Sequence, residues 1–255
     1  MPKIIEQHFR VKSQENLTSF YGDLLGMQPI PAITDSLAFR FDTQQASIQF
    51  KVDDVTPYVP LPNDFYWKIG ITLRDLDVAV AYLRGEGITV PDPYQFRDIG
   101  YMTKLTDPNG FTIELLQQGF VGNTKPILAG HPIGVQATFA HITLRVTDIL
   151  SARHYFEDAL AMRLMSIQPV TEYGFCLYFY TWSEETLPNP DLEAVENRPW
   201  LWSRPYTFVE LQHLTAPHAT IHKTPLSQAG FDGFTYGQPE TEPTLVSITD
   251  LHTLT

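Results

Sequence analysis

The stretch "HITLRVTDILSARHYFEDALAM", residues 141–162, aligns without a gap with "EQHFRVKSQENLTSFYGDLLGM", residues 6–27, at a constant offset of 135 residues (141 minus 6). Arg145 then matches Arg10, and Phe156 matches Tyr21. Each stretch reads as a strand followed by a helix whose apolar residues recur three and four positions apart. An ungapped repeat over a strand and a helix indicates a duplicated unit.

A further copy of the same plan lies between these two stretches. The strand-like "KIGITL", residues 68–73, is followed by the helix N-cap Asp75 and by a helical pattern that ends at Gly85 and Gly87. The segment "YMTKLTDPNGFTIELLQ", residues 101–117, predicts a hairpin with a turn at Asp-Pro-Asn-Gly. The sequence therefore contains three units with the order strand, helix, strands.

The rest of the chain is too short for a complete fourth unit, because only 41 residues follow Leu214 (255 minus 214). Residues 119–136 are rich in Gly and Pro and read as a linker. We therefore predict an α+β fold with two domains, residues 1–118 with two units and residues 137–255 with one full and one incomplete unit. Residues 183–199 are predicted to form an acidic surface loop.

Composition narrows the class of partner. The formal net charge of −12 disfavours binding to nucleic acid or to an anionic membrane, so a small molecule is the expected ligand. The single cysteine, Cys176, gives no intramolecular disulfide, and no apolar run is long enough to span a membrane. These features, with no signal-peptide pattern at the start, predict a cytoplasmic location.

Glu210 stands in the middle of an apolar strand, "YTFVELQH", residues 206–213. A buried, ionised carboxylate without a partner costs several kcal/mol, about 3–5 where a partner is removed. Either Glu210 keeps a proton or a cation faces it. The nearby aromatic residues, among them Trp202, are expected to form the wall of a pocket for a flat or apolar substrate.

The repeated units, the "DPNGFTIELL" hairpin and the segment around Glu210 resemble the vicinal oxygen chelate superfamily (glyoxalases, bleomycin-resistance proteins and extradiol dioxygenases), and within it the glyoxalase I branch. The resemblance implies tandem βαβββ modules that form half-open mixed β-barrels, here with a degenerate fourth module. It also implies a divalent metal on the concave face of a barrel, held by residues from the first and last strand of each module.

Carried over to this sequence, the family's ligand positions match unevenly. In the third unit His141 stands four residues before Arg145, as in the family, and Glu210 occupies the last-strand position. In the first unit the same positions hold Glu6 and Gln49, which departs from the family. The resemblance also makes Arg145 a substrate-binding residue, since it matches the arginine that grips a carboxylate of glutathione.

In the second unit, Lys68 stands where the family has a histidine, and Glu114 follows the turn as in the family. If units pair consecutively, the first with the second, Lys68 meets Glu6, Gln49 and Glu114 and replaces the metal. If the second unit pairs with the third, His141, Glu210 and Glu114 are the expected ligands of a Zn, Ni, Mn or Fe ion, and Lys68 is expected to bind the substrate. Consecutive pairing is the expectation, because it is commoner in the superfamily.

The resulting functional hypothesis is a metal-dependent, glyoxalase I-like enzyme that acts on a small substrate with vicinal oxygens through an enediolate. Glu210 or Glu114 is the expected base, and His141, Glu210 and Glu114 are the expected metal ligands. A metal-free small-molecule binding protein of the same superfamily is the alternative, and an extradiol-type dioxygenase is the second. A concave third unit left open also suggests a homodimer.

Overall fold

The computed structural model of this chain describes residues 1–31, 36–126, 128–135, 137–238 and 241–255. In each of the three predicted units, a first strand is followed by a helical segment and further strands. The first unit consists of β1 (Lys3–Val11), a π-helical segment (Thr18–Leu24), β2 (Gln28–Ile30), β3 (Ser36–Arg40) and β4 (Ser47–Val52). The second consists of β5 (Tyr66–Leu73), α1 (Leu76–Gly85), β6 (Tyr94–Phe96), β7 (Gly100–Thr106) and β8 (Thr112–Gln117).

The third unit carries an extra helix before its last strand. It consists of β9 (Thr138–Val146), α2 (Ile149–Arg153) continued by π-helical turns (His154–Ala159), β10 (Arg163–Val170), a 3-10 turn (Thr171–Tyr173), β11 (Phe175–Thr181), α3 (Asn197–Trp202) and β12 (Phe208–Leu214). The incomplete fourth unit supplies β13 (Gly230–Gly237), β14 (Thr244–Ser247), α4 (Ile248–Leu251) and a 3-10 turn (His252–Leu254). The mixed α+β fold with a degenerate fourth module is therefore confirmed.

The units pair crosswise. One sheet has the strand order β14-β13-β1-β4-β3-β2 and joins the first unit to the remnant of the fourth, and the other has the order β10-β11-β12-β9-β5-β8-β7-β6 and joins the second unit to the third. The consecutive pairing expected from the sequence is wrong, because β5 forms its antiparallel ladder with β9 and not with β1. The predicted division into residues 1–118 and 137–255 thus does not separate the two sheets.

Crosswise pairing also changes the argument for a homodimer. The second unit of the same chain lies beside the third through the ladder between β5 and β9. The third unit is therefore not left open for a second chain. The homodimer stays a prediction, now without that support.

Strand alternation decides which side chains face the concave side of the eight-stranded sheet. Successive side chains on a strand point to opposite faces. On β5, Ile69 and Ile71 belong to the main apolar core, whereas Lys68 and Gly70 lie on the other face. The same alternation on β9 places His141 on the face opposite to the core residue Ile142.

The two sheets share one hydrophobic core. The ring of Phe9 on β1 lies 5.3 Å from that of Tyr66 on β5 and 4.8 Å from that of Phe111. Asp107 fixes the hairpin before β8, since its Oδ1 accepts hydrogen bonds from the backbone N–H groups of Asn109 (2.9 Å) and Phe111 (2.8 Å). In the described ranges no helix is long and apolar enough to cross a membrane.

Candidate functional site

The third unit contributes a histidine and a glutamate from neighbouring parallel strands. Thr143 on β9 pairs with Glu210 on β12, and His141 lies two residues before Thr143 on the same face. The hydroxyl of Thr143 donates a 3.0 Å hydrogen bond to Glu210 Oε2. The strand register therefore holds His141 and Glu210 close together.

The second unit contributes a lysine and a glutamate in the same arrangement. Gly70 on β5 pairs with Glu114 on β8, and Lys68 lies two residues before Gly70. Lys68 thus holds the position in the second unit that His141 holds in the third. The antiparallel ladder between β5 and β9 pairs Gly70 with His141, which brings both units' side chains to one place.

Four side chains, which we call the quartet (Lys68, Glu114, His141 and Glu210), meet at the centre of the eight-stranded sheet. Lys68 Nζ lies 2.6 Å from Glu114 Oε2 and 4.0 Å from Glu210 Oε2. His141 Nε2 lies 3.3 Å from Glu114 Oε1 and 3.2 Å from Glu210 Oε2. Each of the four residues is at most 4% exposed. Such charges are stable in the interior only as a compensated group.

Lys68 and Glu114 stabilise each other as ions. Burial opposes ionisation of Glu114, but the ammonium of Lys68 and the nearby His141 outweigh it and lower the pKa of Glu114 to about 2. Burial likewise opposes the charged form of Lys68, but Glu114 and Glu210 outweigh it, so the pKa of Lys68 is raised. The ammonium–carboxylate pair is therefore present across the physiological pH range.

Other polar atoms of the quartet have no hydrogen-bond partner among the described residues. They are Glu210 Oε1 and His141 Nδ1, both of them buried. An unsatisfied buried polar atom costs about 1–3 kcal/mol, so such atoms usually await a ligand or water. The pair of Lys68 and Glu114 is thus compensated in charge, whereas Glu210 and His141 are incomplete in hydrogen bonding.

Gly70 makes room for the imidazole. A Cβ at this position would lie 2.0 Å from His141 Cε1 and 2.1 Å from His141 Nε2, far inside van der Waals contact. An isolated glycine within a strand often marks such a close approach. Sequence reasoning missed the role of Gly70, although "KIGITL" carried this signal.

The quartet forms the polar side of a cavity of about 190 Å³. Six aromatic residues line the rest of it: Trp67, Tyr94, Phe96, Phe175, Phe179 and Trp202. Ile99, Met102, Leu116 and Leu177 complete the apolar wall. A small, largely apolar cavity with a few convergent polar groups is the usual form of a small-molecule site.

The segment between β11 and β12 covers this cavity. Trp202 at the end of α3 lies with its ring centroid 6.1 Å from that of His141, and its Nε1 donates a 2.9 Å hydrogen bond to the carbonyl of Ile99. Arg198, also on α3, forms a 2.5 Å ion pair with Asp98. The acidic loop predicted for residues 183–199 is in part buried, because its end runs into α3 and α3 bonds across to the second unit.

The rim of the cavity joins the second and third units a second time. Phe96 contacts Tyr173 with a centroid distance of 5.6 Å, and Arg97 forms a 2.5 Å ion pair with Glu172. Both pairs connect the edge strand β6 to the turn between β10 and β11. The two ends of the curved sheet are therefore held together at the opening.

Arg145, predicted to bind substrate, is engaged elsewhere. Its Nε donates a 2.8 Å hydrogen bond to Gln212 Oε1, its Nη1 donates to the carbonyl of Asp64 at 3.1 Å, and its guanidinium carbon lies 4.6 Å from the ring centroid of Trp67. It is absent from the cavity lining. Arg145 thus supports Trp67 from outside the cavity.

The residues of the first unit lie in the other sheet. Glu6 and Gln49 therefore do not meet Lys68 and Glu114, and the site expected from consecutive pairing does not form. Instead, His8 Nδ1 lies 2.9 Å from Gln49 Oε1, and His8 Nε2 lies 2.6 Å from Thr235 Oγ1.

The quartet does not fit the metal implied by the resemblance. Within the described ranges, no group of three or more His, Cys, Asp and Glu side chains is arranged to hold a metal ion. His141, Glu114 and Glu210 are close together, but the cation near both carboxylates is the Lys68 ammonium. A divalent ion beside this buried ammonium would add repulsion between two cations. An extradiol-type dioxygenase site needs two histidine ligands. The quartet contains one histidine, and Lys68 stands where the second would be needed.

No protein-family model and no curated protein sequence matches this chain. Solved structures do. Glyoxalase I from Zea mays superposes with a TM-score of 0.64 and 12% identity over 92% of this chain and 74% of that one. A mutant form of the same maize enzyme covers 99% of this chain and 96% of its own, with a TM-score of 0.62 and 12% identity. A protein from Bacillus subtilis described as a candidate dioxygenase gives 0.54 and 13% identity over 91% of this chain and 68% of its own. This chain therefore shares its fold with these solved structures, glyoxalase I from Zea mays among them, and the function has to be argued from the site.

Proposed function

We propose that this chain, which has the fold of the vicinal oxygen chelate superfamily, is an enzyme that moves a proton between adjacent oxygen-bearing carbons of a small molecule without a bound metal ion. The observation that carries the proposal is the unpaired, buried Oε1 of Glu210, whose other oxygen, Oε2, lies 4.0 Å from the Lys68 ammonium and 3.2 Å from His141 Nε2 at the polar side of the cavity. This keeps the enediolate chemistry expected from the sequence and assigns the metal's part to Lys68 and His141.

The chemistry requires a base and hydrogen-bond donors for the oxygen that becomes negative. Enzymes that remove a proton next to a carbonyl can use a carboxylate base together with a neutral imidazole donor. Donors that are already in place contribute most in a site without water, because they need no reorganisation during the reaction. In the quartet, the ammonium of Lys68 lies 4.0 Å and the imidazole of His141 lies 3.2 Å from the carboxylate of Glu210.

The roles follow from the atoms that are free. Glu210 Oε1 takes the proton from the carbon next to the carbonyl, and the electron pair of the broken C–H bond forms the C=C bond of the enediolate. Lys68 and His141 donate hydrogen bonds to its two oxygens. Return of the proton from Glu210 to the neighbouring carbon, with transfer of one hydroxyl proton between the oxygens, completes an isomerisation that consumes no oxidant or co-reactant.

Glu114 and Thr143 position these groups. Glu114 holds Lys68 in place through the 2.6 Å ion pair. The hydroxyl of Thr143 donates a hydrogen bond to Glu210 Oε2, which leaves Oε1 as the reactive oxygen. Trp202 and Phe179 surround His141 and exclude water from it.

Hydrogen exchange in D2O tests the proposal. The protein is incubated with EDTA and either dihydroxyacetone or 2-hydroxyacetophenone, and loss of the proton signal of the carbinol carbon is followed by NMR. We expect catalysed exchange that EDTA does not reduce, that falls about 10³-fold in Glu210→Gln, as expected for loss of a general base, and that persists in the exposed control Glu86→Gln.

The binding-protein alternative is supported by the compensated charges of the quartet and by the apolar cavity. Binding of either compound without any exchange would favour it. Exchange that EDTA abolishes and Zn²⁺ or Ni²⁺ restores would refute the metal-free mechanism.

A further inference from the structure

The cavity wall carries information about the substrate that the quartet does not. Beyond the quartet, the only charged side chain among the described lining residues is Lys104, which is exposed and lies 5.6 Å from the ring centroid of Trp67 at the mouth. Arg145 is outside the cavity and already bonded to Gln212 and Asp64. No cation in the described lining is therefore free to compensate a phosphate or carboxylate group held deep in the cavity.

An anionic substrate would in addition meet like charges. Glu114 and Glu210 are both buried at the polar side of the cavity, and the ammonium of Lys68 already faces both carboxylates. A buried, uncompensated anion next to carboxylates is strongly disfavoured. The part of the substrate that enters beyond the reacting oxygens therefore carries no negative charge, and the apolar wall around it favours a neutral group.

The size of the cavity sets an upper limit on that part. An apolar cavity of about 150 Å³ holds one benzene molecule, and this one measures about 190 Å³. Sites for drug-sized ligands measure about 300–1,000 Å³. One ring with a short side chain fits, and a tripeptide conjugate such as glutathione does not fit inside.

Aromatic rings surround the reactive end of the cavity. The ring centroid of Phe179 lies 6.3 Å from that of His141 and 5.2 Å from that of Trp202, with both ring pairs edge to face. Flat apolar ligands pack well in such surroundings, because edge-to-face and offset arrangements add to the burial of apolar area. The wall next to the quartet thus favours a ring over a polyhydroxylated chain.

We infer that the substrate class is an uncharged aryl α-hydroxyketone, in which a single ring is attached to a carbonyl next to a hydroxyl-bearing carbon. The ring lies against Phe179, Leu177 and Trp202, and the two oxygens face the quartet. This inference rests on the proposed function for the reaction, but its binding component is independent of it.

The test compares three probes of one reaction type: 2-hydroxyacetophenone, dihydroxyacetone and dihydroxyacetone phosphate. Binding is measured by tryptophan fluorescence and turnover by deuterium exchange. We expect kcat/KM for 2-hydroxyacetophenone to exceed that for dihydroxyacetone by tenfold or more, and no binding of the phosphate at millimolar concentration.

Leu177→Phe supplies the structural control, because it adds volume inside the cavity, and Leu150→Phe makes the same change at a residue that is 75% exposed. We expect Leu177→Phe to lower the preference for the aryl compound at least tenfold while dihydroxyacetone still reacts, which also shows that the variant is folded. Leu150→Phe should leave the preference unchanged.

The outcomes separate the two proposals. Exchange of dihydroxyacetone without preference for the ring, or a preference that Leu177→Phe does not alter, overturns the substrate class and leaves the proposed function standing. Tight binding of 2-hydroxyacetophenone without exchange supports the ligand class and overturns the proposed reaction. Absence of both binding and exchange overturns both.

Discussion

Replacement of Gly70 by alanine tests whether the place of His141 is set by the neighbouring strand. The added Cβ would lie 2.0, 2.1 and 2.5 Å from the Cε1, Nε2 and Nδ1 atoms of His141. Non-bonded carbon atoms approach each other to about 3.5–4.0 Å. The imidazole must therefore move by roughly 1.5 Å, away from its place beside the two carboxylates.

The substitution is expected to lower both the stability and the reaction rate. Overpacking of a filled interior costs about 1–3 kcal/mol, which outweighs the gain of about 0.4–1 kcal/mol that alanine brings by restricting the unfolded chain. A displacement of about 1 Å in a reacting group can lower a rate about 10²-fold. The contacts from His141 Nε2 at 3.2 and 3.3 Å to the two carboxylates are lost in the same movement.

The assay combines thermal unfolding, deuterium exchange and the imidazole NMR signals of His141. Gly85→Ala is the matched control, because nothing lies within 4 Å of a Cβ at Gly85 and this residue is the last of helix α1. We expect the control to be unchanged or stabilised by up to about 1 kcal/mol. A Gly70→Ala variant with wild-type stability, exchange and His141 signals would refute the close approach on which the site geometry rests.

Three further changes address the other parts of the site. Lys68→Gln removes the ammonium and restores an oxygen donor at the fourth ligand position, so we expect it to bind Zn²⁺ in calorimetry where the wild type and Lys104→Gln do not. Glu114→Gln should flatten the acid side of the stability curve: the depressed pKa of Glu114 contributes stability that is present above its ordinary pKa of about 4.5 and is lost as the pH falls towards 2, as denaturant titrations at each pH will show. Trp202→Ala should lower the free energy of unfolding by about 3–5 kcal/mol and abolish exchange. Trp200→Ala should lower it by less, because the side chain of Trp200 is only partly buried.

Contrary results are equally defined. Equal Zn²⁺ affinity in wild type and Lys68→Gln would mean that Lys68 does not replace a metal ligand. A Glu114→Gln variant with the acid sensitivity of the wild type would show that another carboxylate dominates acid unfolding. Full activity in Trp202→Ala would remove α3 from the account of the cavity.

Much of the local structure followed from sequence periodicity. The repeat of residues 6–27 in residues 141–162 predicted the strand and the helical segment of the first and third units. Asp75 marked the start of helix α1 in the second unit. These features depend on neighbours within a few residues, which a sequence displays directly. The strands of the incomplete fourth unit, residues 230–237 and 244–247, depend on distant residues, because β13 pairs with β1 and β14 pairs with β13.

The site was predictable in its members and not in its assembly. The sequence named Lys68, Glu114, His141 and Glu210, since each stands at a defined place in its own unit. It could not show that Lys68 lies beside His141, because that depends on the pairing of β5, the first strand of the second unit, with β9, the first strand of the third. Trp202 was expected near the pocket, but its hydrogen bond to Ile99 joins residues 103 apart in the chain.

The sequence by itself determined the repeated unit, the alternation that puts His141 on one face of its strand and the presence of a carboxylate in need of a partner. Only the tertiary structure decided the pairing of units, the identity of that partner and the dimensions of the cavity. The physical reason is that all units present similar apolar faces and similar first strands, so local patterns are compatible with more than one pairing. The choice depends on contacts between residues far apart in the chain.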